Sequence, residues 1–434
     1  MKRDTKDILI IGGGYVGLTV GVALASFGNN VIVFDSNKEK RDLLKNGKVP
    51  IEEPGLVGLL EKHKSRIVFT DDFVFGIRKS DIVFVTVNTD FVNGRLNLSN
   101  FNKAFKLLLK YAKSGQVIVI KSTVPIGTTD KVKAEIRESV GNKCSLVINP
   151  EFLREGHALE DFLHPDRIII GAEDEQGKKA ILGLYESIDA PKIIVDFKTA
   201  EMIKYSSNAF LSTKISFINE ISDICELFGV DVSKVTLGIG LDKRIGNSFL
   251  NAGIGFGGSC LPKDLSTIIN TAEQMGYTPE ILKAVRAVNL ARVDIFTKRV
   301  VSTLGKKKCR IAVWGLAFKG GTNDIRNSPA VMIIEKLLKL GYKINIYDPS
   351  AVENARRILG EKVSFFSDHL GSVKGTDALL VLSDSQDFLS FNLKKTFELM
   401  KKHYFFDGRN LFEPAKVREA GFLYFGAGRA DVDL

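Results

Sequence analysis

The sequence is poor in the features that mark membrane-spanning and exported proteins. No apolar run approaches the ~18 residues that a helix needs to cross a bilayer. The opening segment MKRDTKDILI has no apolar signal core before the first predicted strand. We therefore expect a cytoplasmic protein without a membrane partner.

Cysteine is also scarce, and its placement argues against the common metal sites. The four cysteines, Cys144, Cys225, Cys260 and Cys309, are scattered without the CxxC spacing typical of a structural metal site. The sequence therefore predicts no bound metal. In a reducing compartment each cysteine is expected to remain a thiol.

Basic residues outnumber acidic ones, but not in the pattern of a nucleic-acid binder. The chain has 61 Lys and Arg against 51 Asp and Glu, a net charge of +10. The one dense basic run is GKKKCR at 305–310, and aromatic residues are not interleaved with basic ones as in single-strand binders. We expect a solvated basic surface that attracts small phosphate-bearing ligands rather than nucleic acid.

Apolar runs alternate with helical stretches at both ends of the chain. Residues 6–35 are predicted to form a strand, a glycine turn, a helix and a second strand. This order returns from residue 309 onward, and such alternation is typical of doubly wound parallel α/β sheets. Further strands are predicted at 81–87, 116–122, 144–150, 377–383 and 404–410.

The middle of the chain has a different pattern. From Thr199 a helical apolar period continues for about 30 residues, without Gly or Pro until Gly229. Near the C-terminal part, Ser328 followed by Pro329 predicts the cap and first residue of a helix. The fold class is therefore α/β, with two Rossmann-like doubly wound domains joined by a long central helix. The predicted domains are 1–197, 198–300 and 301–434.

The turn after the first strand has the dinucleotide-binding spacing. Gly12, Gly14 and Gly17 form GxGxxG, and Asp35 ends the next strand. The glycines allow a tight turn and close approach of a pyrophosphate to the helix N-terminus, and the carboxylate can accept both ribose hydroxyls. The pattern favours NAD over NADP, while FAD and a glycine turn of an unrelated α/β protein remain alternatives.

One cysteine lies in an unusual setting. The segment GFGGSCLPKD at 255–264 places Cys260 among glycines, where a ligand can reach a thiol. Pro262 predicts a helix that begins just after Cys260, and a helix N-terminus beside Lys263 favours the thiolate. The other three cysteines lie in strand or helix patterns and are interpreted as structural.

Long motifs follow one another in a fixed order along the chain. They are GGGYVGL, VPIEEPGL, KSTVPIGTT, NPEFLREGHALEDFLHPDRIIIG, AEMIKYSSNAFLSTKISFINEI, RIGNSFLNAGIGFGGSCLPKD, GLAFKGGTNDIRNSPA, YDP and DGRN. With these motifs the chain resembles the UDP-glucose/GDP-mannose dehydrogenase family. The resemblance implies an N-terminal NAD domain, a central helical segment that forms the dimer, and a C-terminal domain that binds the nucleotide sugar.

The resemblance also implies a four-electron oxidation of the sugar C6 alcohol to a carboxylate, with two NAD reduced. Cys260 matches the family's nucleophile, which forms a thiohemiacetal and then a thioester that water hydrolyses. Lys204 and Asn208, four residues apart on the long helix, are expected to stabilise the oxyanions. Asp264 is expected to work with Lys204 in proton transfer.

Further roles are carried over from the family motifs. Thr123 and Glu151 are expected to order the hydrolytic water, with Glu151 as general base or acid. Arg244 matches an arginine that reaches the sugar from a neighbouring subunit of a homodimer or higher oligomer. Expected cofactor-binding residues are Gly12, Gly14, Tyr15, Val16, Gly17, Asp35, Lys40, Thr89, Thr123, Glu155, Lys263 and Arg326. Expected substrate-binding residues are Glu151, Phe152, Leu153, Arg154, Glu155, Lys204, Asn208, Arg244, Phe249, Leu250, Asn251, Gly253, Gly255, Phe256, Gly257, Cys260, Phe318, Lys319 and Arg409.

The segments VPIEEPGL and DFLHPDRIIIG favour UDP-glucose as the substrate within the family. Oxidation of a UDP-N-acetylhexosamine or of GDP-mannose remains an alternative. One departure is Asn88-Thr89-Asp90, where the family usually has proline in the third position. A carboxylate there would repel a pyrophosphate, which motivates a second alternative, a catalytically weak nucleotide-sugar binder.

Overall fold

The structure is a computed structural model that describes residues 5–92, 94–141, 143–305 and 309–429. Residues 306–308 of the basic run GKKKCR therefore lie outside the described residues. The chain divides into two compact units, Met1–Ser207 and Asn208–Leu434, and each is described by itself. Within the described ranges, no helix combines the length and apolar composition needed to cross a membrane.

The N-terminal unit is built on a sheet of eight strands among its described residues, in the order β10-β9-β8-β7-β4-β1-β2-β3. Strand β9 runs antiparallel to β8, and the other neighbouring pairs are parallel. A separate hairpin is formed by β5 and β6. The strands are β1 Asp7–Ile11, β2 Asn30–Phe34, β3 Ile67–Thr70, β4 Ile82–Val85, β5 Asp90–Val92, β6 Arg95–Asn97, β7 Val117–Ile120, β8 Ser145–Ile148, β9 Ile168–Ala172 and β10 Lys192–Val195.

Strand β1 shows why the apolar runs are continuous. Ile8 and Ile10 pack into the core on one face of the sheet, whereas Leu9 and Ile11 pack into the core on the other. Both faces are therefore covered by helices, as expected of a parallel sheet. The helices are α1 Tyr15–Ser26, α2 Lys38–Lys45, α3 Leu56–His63, α4 Phe73–Lys79, α5 Ser99–Tyr111, α6 Thr128–Val140, α7 Ala158–Leu163 and α8 Glu175–Leu184.

The predicted long helix is α9, Phe197–Leu227, which has 31 residues. It is followed in the C-terminal unit by helices and then by a second parallel sheet, in the order β13-β12-β11-β14-β15-β16. The elements are α10 Val232–Gly240, α11 Leu261–Gln274, α12 Glu280–Leu304, β11 Arg310–Trp314, α13 Pro329–Lys339, β12 Lys343–Tyr347, α14 Val352–Leu359, β13 Ser364–Phe365, α15 His369–Val373, β14 Ala378–Val381, α16 Leu393–Leu399, β15 Tyr404–Asp407, α17 Pro414–Glu419 and β16 Leu423–Gly426.

Both sheets reverse strand order beside their first strand, β1 or β11. The six C-terminal strands, and the first six core strands of the N-terminal sheet, follow the 3-2-1-4-5-6 order of dinucleotide-binding domains. This confirms the prediction of two doubly wound α/β domains and a central helix. Ligands of such sheets bind beyond the carboxyl ends of the strands, next to the point of reversal.

The predicted helix start at Pro329 is confirmed, with Ser328 in the cap position. The serine hydroxyl, however, does not cap the helix. It donates a 2.6 Å hydrogen bond to the backbone oxygen of Leu316, so it fastens the loop after β11 instead.

Candidate active site

The glycine turn between β1 and α1 has the shape that a pyrophosphate requires. Gly12 has φ of +107°, and a Cβ atom on Gly17 would lie 1.8 Å from the Gly12 oxygen. A Cβ on Gly14, the cap of α1, would meet only the Asn88 Oδ1 atom at 3.5 Å. Gly12 and Gly17 therefore build the tight turn, while Gly14 leaves the helix N-terminus open to a ligand.

Asp35 lies directly after β2 and is tied to the same turn. Its Oδ2 atom accepts a 2.9 Å hydrogen bond from the Gly13 N–H and lies 3.3 Å from the Lys40 ammonium. The side chain is 12 % exposed. The predicted cofactor residues of this region are thus brought together, with a carboxylate where an NAD ribose requires an acceptor.

Tyr15 and the segment after β8 are held by a buried acid that the sequence analysis missed. The Tyr15 hydroxyl donates to the Glu53 carboxylate, which also accepts from the N–H groups of Gly156 (3.0 Å) and Leu159 (3.1 Å). Burial, and then Glu53, raise the pKa of Tyr15 far above its usual range, so the phenol stays protonated. Arg154 is exposed nearby and forms an ion pair with Asp161.

Thr123 follows β7 and lies beside a small cavity. Its backbone oxygen accepts a 2.8 Å hydrogen bond from the Thr89 hydroxyl, which joins the ends of neighbouring parallel strands. The cavity measures about 10 Å³, roughly the space of one water. It is lined by Ser122, Thr123, Val124, Ile148, Pro150, Glu201, Lys204 and Tyr205.

Glu151 and Lys204 form a buried ion pair. The Lys204 ammonium donates to the Glu151 Oε1 atom at 2.9 Å and to the Glu151 backbone oxygen at 2.8 Å, and the two side chains are 8 % and 6 % exposed. The other carboxylate oxygen accepts from the Leu153 N–H at 2.7 Å. Burial alone would raise the pKa of Glu151, but Lys204 reverses the shift. The pKa of the carboxyl therefore lies below its usual range.

The Phe152 ring makes cation–π contacts with two side chains of the N-terminal unit. Its ring centre lies 5.3 Å from the Lys204 ammonium and 4.1 Å from the Arg167 guanidinium. The predicted group Glu151, Phe152, Leu153 and Lys204 therefore forms one cluster at the end of β8.

Cys260 caps helix α11, which begins at Leu261 with Pro262 in its first turn. The thiol side chain is exposed, whereas Cys144 is half-buried and Cys225 and Cys309 are buried. Cys260 is therefore the most accessible of the four cysteines. A cysteine at a helix N-terminus experiences the positive end of the dipole, which favours the thiolate.

Asp264 is the central acceptor of the next cluster. Its carboxylate is fully buried, accepts a 2.5 Å hydrogen bond from the Asn208 Nδ2 atom, and lies 2.8 Å from the Lys263 ammonium. Lys263 is 11 % exposed. The structure thus places Lys263 on Asp264, one turn after Cys260, and fixes the Asn208 amide on the same carboxylate.

Glycines of the loop 249–258 pack closely against other segments of the protein. An added Cβ would lie 2.8 Å from the Gly408 oxygen at Gly253, 2.3 Å from the Asn327 oxygen at Gly257, and 2.9 Å from the Phe318 ring at Gly258. Gly253 and Gly257 are among the expected substrate-binding residues. Each of the three glycines makes room for a neighbouring segment of the C-terminal unit.

Side chains from the central helices hold this loop by its backbone. Asn289 accepts from the Phe256 N–H (2.8 Å) and donates to the Phe256 oxygen (3.1 Å). Asn219 accepts from the Gly253 N–H (2.8 Å), and the buried Arg292 donates to the Gly253 oxygen (2.9 Å). The loop lacks a strand partner, and these amides and the guanidinium take that role.

Arg409 also supports the loop. Its three guanidinium nitrogens donate to the backbone oxygens of Leu382 (3.1 Å), Gly255 (2.8 Å) and Phe318 (2.9 Å). The family resemblance placed this arginine among the expected substrate-binding residues. In the structure its donors are directed at backbone carbonyls, so it positions the loop and Phe318.

Four other charged residues named in the sequence analysis are more exposed. The Arg326 guanidinium forms a two-pronged pair with Asp324, and its backbone oxygen accepts from the Gly258 N–H at 2.8 Å. Arg244 pairs with Asp242 on the surface, and its side chain is 89 % exposed. Lys319 lies over the ring of Phe318 at 5.8 Å. Asp90 is exposed in hairpin β5–β6, opposite Asn97.

Supporting residues are what the sequence analysis missed. Lys121, Glu53, Glu201, Asn219 and Arg292 are buried, and Asn289 is half-buried. Glu53, Asn219, Asn289 and Arg292 bond directly to residues of the predicted site. Lys121 bonds to Asn149, and Glu201 bonds to Gly127 and Thr129. Lys121 could have been noticed in the sequence, because it is the charged residue that directly follows the apolar strand VIVI. The others lie in helices or loops with no distinctive spacing.

The N-terminal turn, its acidic partner and the strand order define the class of dinucleotide-dependent dehydrogenases. Comparison with known proteins narrows the class. Sequence profiles of the UDP-glucose/GDP-mannose dehydrogenase family match three consecutive parts: the NAD binding domain at 6–189, the central domain at 198–291 and the UDP binding domain at 312–414. The chain belongs to this family, and its cofactor is NAD.

Individual relatives agree with this assignment. A UDP-glucose 6-dehydrogenase of Bacillus subtilis is 42% identical over 433 residues, covering 98% of this chain and 94% of the relative. The structure of a UDP-glucose dehydrogenase from Pyrobaculum islandicum matches with a TM-score of 0.91 at 35% identity, over 99% of both chains. That of a UDP-D-ManNAc dehydrogenase from Pyrococcus horikoshii matches with 0.88 at 26% identity, over 98% of this chain and 100% of that one.

Proposed function

We propose that this chain is an NAD-dependent UDP-glucose 6-dehydrogenase that converts UDP-glucose to UDP-glucuronate. The observation that carries the proposal is the 42% identity to a UDP-glucose 6-dehydrogenase over 98% of the chain. The glycine turn and Asp35 fit NAD, because Gly14 leaves the α1 N-terminus open and the Asp35 carboxylate can accept ribose hydroxyls. When bound, NAD accepts a hydride from the sugar C6 carbon.

The thiol of Cys260 gives the reaction its covalent stage. Loss of a hydride and a proton from the C6 alcohol leaves an aldehyde, and the Cys260 thiolate adds to its carbon to form a thiohemiacetal. Loss of a second hydride and proton turns the thiohemiacetal into a thioester. In this scheme Lys204 and Asn208 stabilise the negative charge that develops on the C6 oxygen. Asp264 manages protons in this part of the reaction.

Hydrolysis releases the product. The oxygen of a water adds to the acyl carbon, its proton passes to the Glu151 carboxylate, the carbon–sulfur bond breaks, and Cys260 leaves as thiolate. Glu151 can accept this proton because its pairing with Lys204 lowers its pKa and keeps the carboxylate ionised. Thr123 and Lys204 line the water-sized cavity, which supports their role in placing the water.

The C-terminal unit would hold the nucleotide sugar. The loop 249–258 and the Phe318–Lys319 segment are the proposed contacts, with Lys319 as the cation for the pyrophosphate. Arg409 would act through the loop that it supports. We assign the domains as proposed from the sequence: 1–197 for NAD, 198–300 for dimerisation and 301–434 for the UDP-sugar.

A homodimer is part of the proposal. Helix α9 exposes Phe210 (65%), Phe217 (50%) and Ile224 (45%) at seven-residue intervals, which gives one apolar stripe in the C-terminal unit. An apolar stripe of this kind is typical of a helix that packs against a partner. Arg244, with its exposed side chain, would then contact the sugar in the neighbouring subunit. The expected cytoplasmic location suits an enzyme with an exposed functional thiol.

The decisive experiment measures NADH formed by the purified protein with UDP-glucose, UDP-GlcNAc, UDP-ManNAc and GDP-mannose. Two NADH for each UDP-glucose consumed support the proposal. The same yield with another sugar alone assigns the activity to that sugar. No turnover with any of them supports the alternative of a catalytically weak nucleotide-sugar binder. A Cys260→Ser variant that still completed the four-electron oxidation would rule out the covalent route.

A further inference from the structure

Lys121 is a buried ionisable group to which the proposed reaction gives no task. It directly follows β7 and is 4% exposed. Its ammonium donates to two oxygens of Asn149, the side-chain Oδ1 atom at 2.8 Å and the backbone oxygen at 3.2 Å. Asn149 directly follows the neighbouring strand β8, so the contact joins two strand ends of the sheet.

The position is unfavourable for a charged amine. Burial, with a further contribution from Lys204, lowers the pKa of Lys121 to about 7, although Glu151 acts in the opposite direction. Both hydrogen-bond acceptors are neutral oxygens. A methionine of similar length would avoid this cost, since apolar replacements of buried ionisable groups are often stabilising. Packing alone therefore does not explain a lysine here.

Asn149 is the first residue of the turn that carries Glu151. Its Oδ1 atom also accepts from the Tyr185 hydroxyl at 2.7 Å, and its Nδ2 atom donates to the Ile169 oxygen at 2.7 Å. The turn is thus fastened on one side by Lys121 and on the other by a neutral phenol. These two contacts differ in charge but act on one and the same oxygen.

The electrostatic link from Lys121 leads to Glu151. Burial would raise the pKa of Glu151, but Lys204 and, more weakly, Lys121 lower it. The other ionisable groups around this cluster are Glu201 and Tyr205 on α9, Tyr185 after α8, and Arg167 over the ring of Phe152. Lys121 and Lys204 are the cations that act on the Glu151 carboxylate.

We propose that Lys121 is a positioning residue for thioester hydrolysis, which fastens the Asn149–Glu151 turn and supplies a second positive charge that keeps the Glu151 carboxylate ionised. The inference rests on the proposed function. In the step that it supports, water adds to the acyl carbon, its proton passes to Glu151, and Cys260 leaves as thiolate. The oxidation steps precede this one and do not require Lys121.

The test compares Lys121→Met with the matched control Tyr185→Phe in the full-length protein, with UDP-glucose and NAD. Both variants remove one hydrogen bond to Asn149 Oδ1, but the first alone removes a charge. In Lys121→Met we expect a burst of two NADH per site, slow turnover afterwards, and a covalent adduct on Cys260 by mass spectrometry. The acid limb of its kcat profile moves to higher pH, and each unit of movement lowers kcat about tenfold on that limb.

Tyr185→Phe should keep the wild-type acid limb, because the charge near Glu151 is unchanged. Lys121→Gln keeps a hydrogen-bond donor without the charge, so it should shift the acid limb as Lys121→Met does. It takes the place of Lys121→Met in the test if Lys121→Met fails to fold. Unshifted limbs in both Lys121 variants, or equal shifts in Tyr185→Phe, would overturn the inference. Absence of NADH formation by the wild type would instead refute the proposed function.

Discussion

Replacing Lys121 by methionine should make the N-terminal unit more stable at neutral pH. Between pH 7 and 10.5 the unfolded chain binds the Lys121 proton and the folded chain releases it, because burial lowers the pKa from 10.5 to about 7. Stability therefore rises with pH across this window. Below pH 7 the cost of burying the charged Lys121 amine lowers the free energy of unfolding in full. A pKa shift of this size corresponds to at most about 5 kcal/mol.

The loss of hydrogen bonds reduces the gain. Methionine cannot donate to Asn149, and each lost bond costs about 1 kcal/mol. We expect a net stabilisation of about 3 kcal/mol at pH 7, which is close to a 1 M increase in the urea midpoint for a unit of this size. The difference from wild type should shrink, and then reverse, as the pH approaches 10.5.

The assay follows urea unfolding by circular dichroism without NAD, at several pH values from 7 to 10. Lys131→Met, at an exposed lysine of α6, is the matched control and should show no pH-dependent difference from wild type, because its surroundings are alike in both states. A Lys121→Met difference that stays constant from pH 7 to 10 would show that Lys121 is charged throughout, and the reasoning from burial would fail.

Three further substitutions test other parts of the site. Gly17→Ala places a Cβ 1.8 Å from the Gly12 oxygen, so NAD binding by calorimetry should be lost, whereas Gly58→Ala, where a Cβ meets nothing within 4 Å, should bind normally. Arg409→Lys loses carbonyl contacts of the substrate loop, so KM for UDP-glucose should rise about tenfold with kcat less affected, and an unchanged KM would contradict the bracing role. Glu201→Gln weakens the acceptor for the Gly127 and Thr129 N–H groups at the start of α6, so the thermal midpoint should fall by an amount equivalent to about 1–2 kcal/mol, and an unchanged midpoint would count against this cap.

The fold could be read from the sequence because its signals are local and periodic. The run at β1 is apolar on both faces, so a covered parallel strand was predictable, and Pro262 and Pro329 marked helix starts. The long helix α9 also followed from its apolar period and the absence of glycine until Gly229. These features depend on neighbouring residues, which the sequence displays directly.

The support of the site could not be read in this way. Asn289 and Phe256 are 33 positions apart, and the contact between Arg409 and Gly255 spans 154 positions. Such partners are chosen by the three-dimensional path of the chain, and an asparagine or arginine in a helix or loop has no pattern that reveals its acceptor. The sequence therefore predicted candidate reactive groups such as Cys260, but not the groups that hold the neighbouring loop in place.

The hydrogen bonds that hold the backbone of the loop 249–258 also predict how fast its amide hydrogens exchange with solvent. Irregular loops usually exchange their amide hydrogens with solvent quickly, because local opening costs little. Here the amide of Gly253 is bonded to Asn219, that of Phe256 to Asn289, and that of Gly258 to the Arg326 oxygen. The amides of Gly253 and Phe256 should exchange as slowly as those of the helices that hold them, so this part of the loop opens together with α9 and α12 rather than on its own.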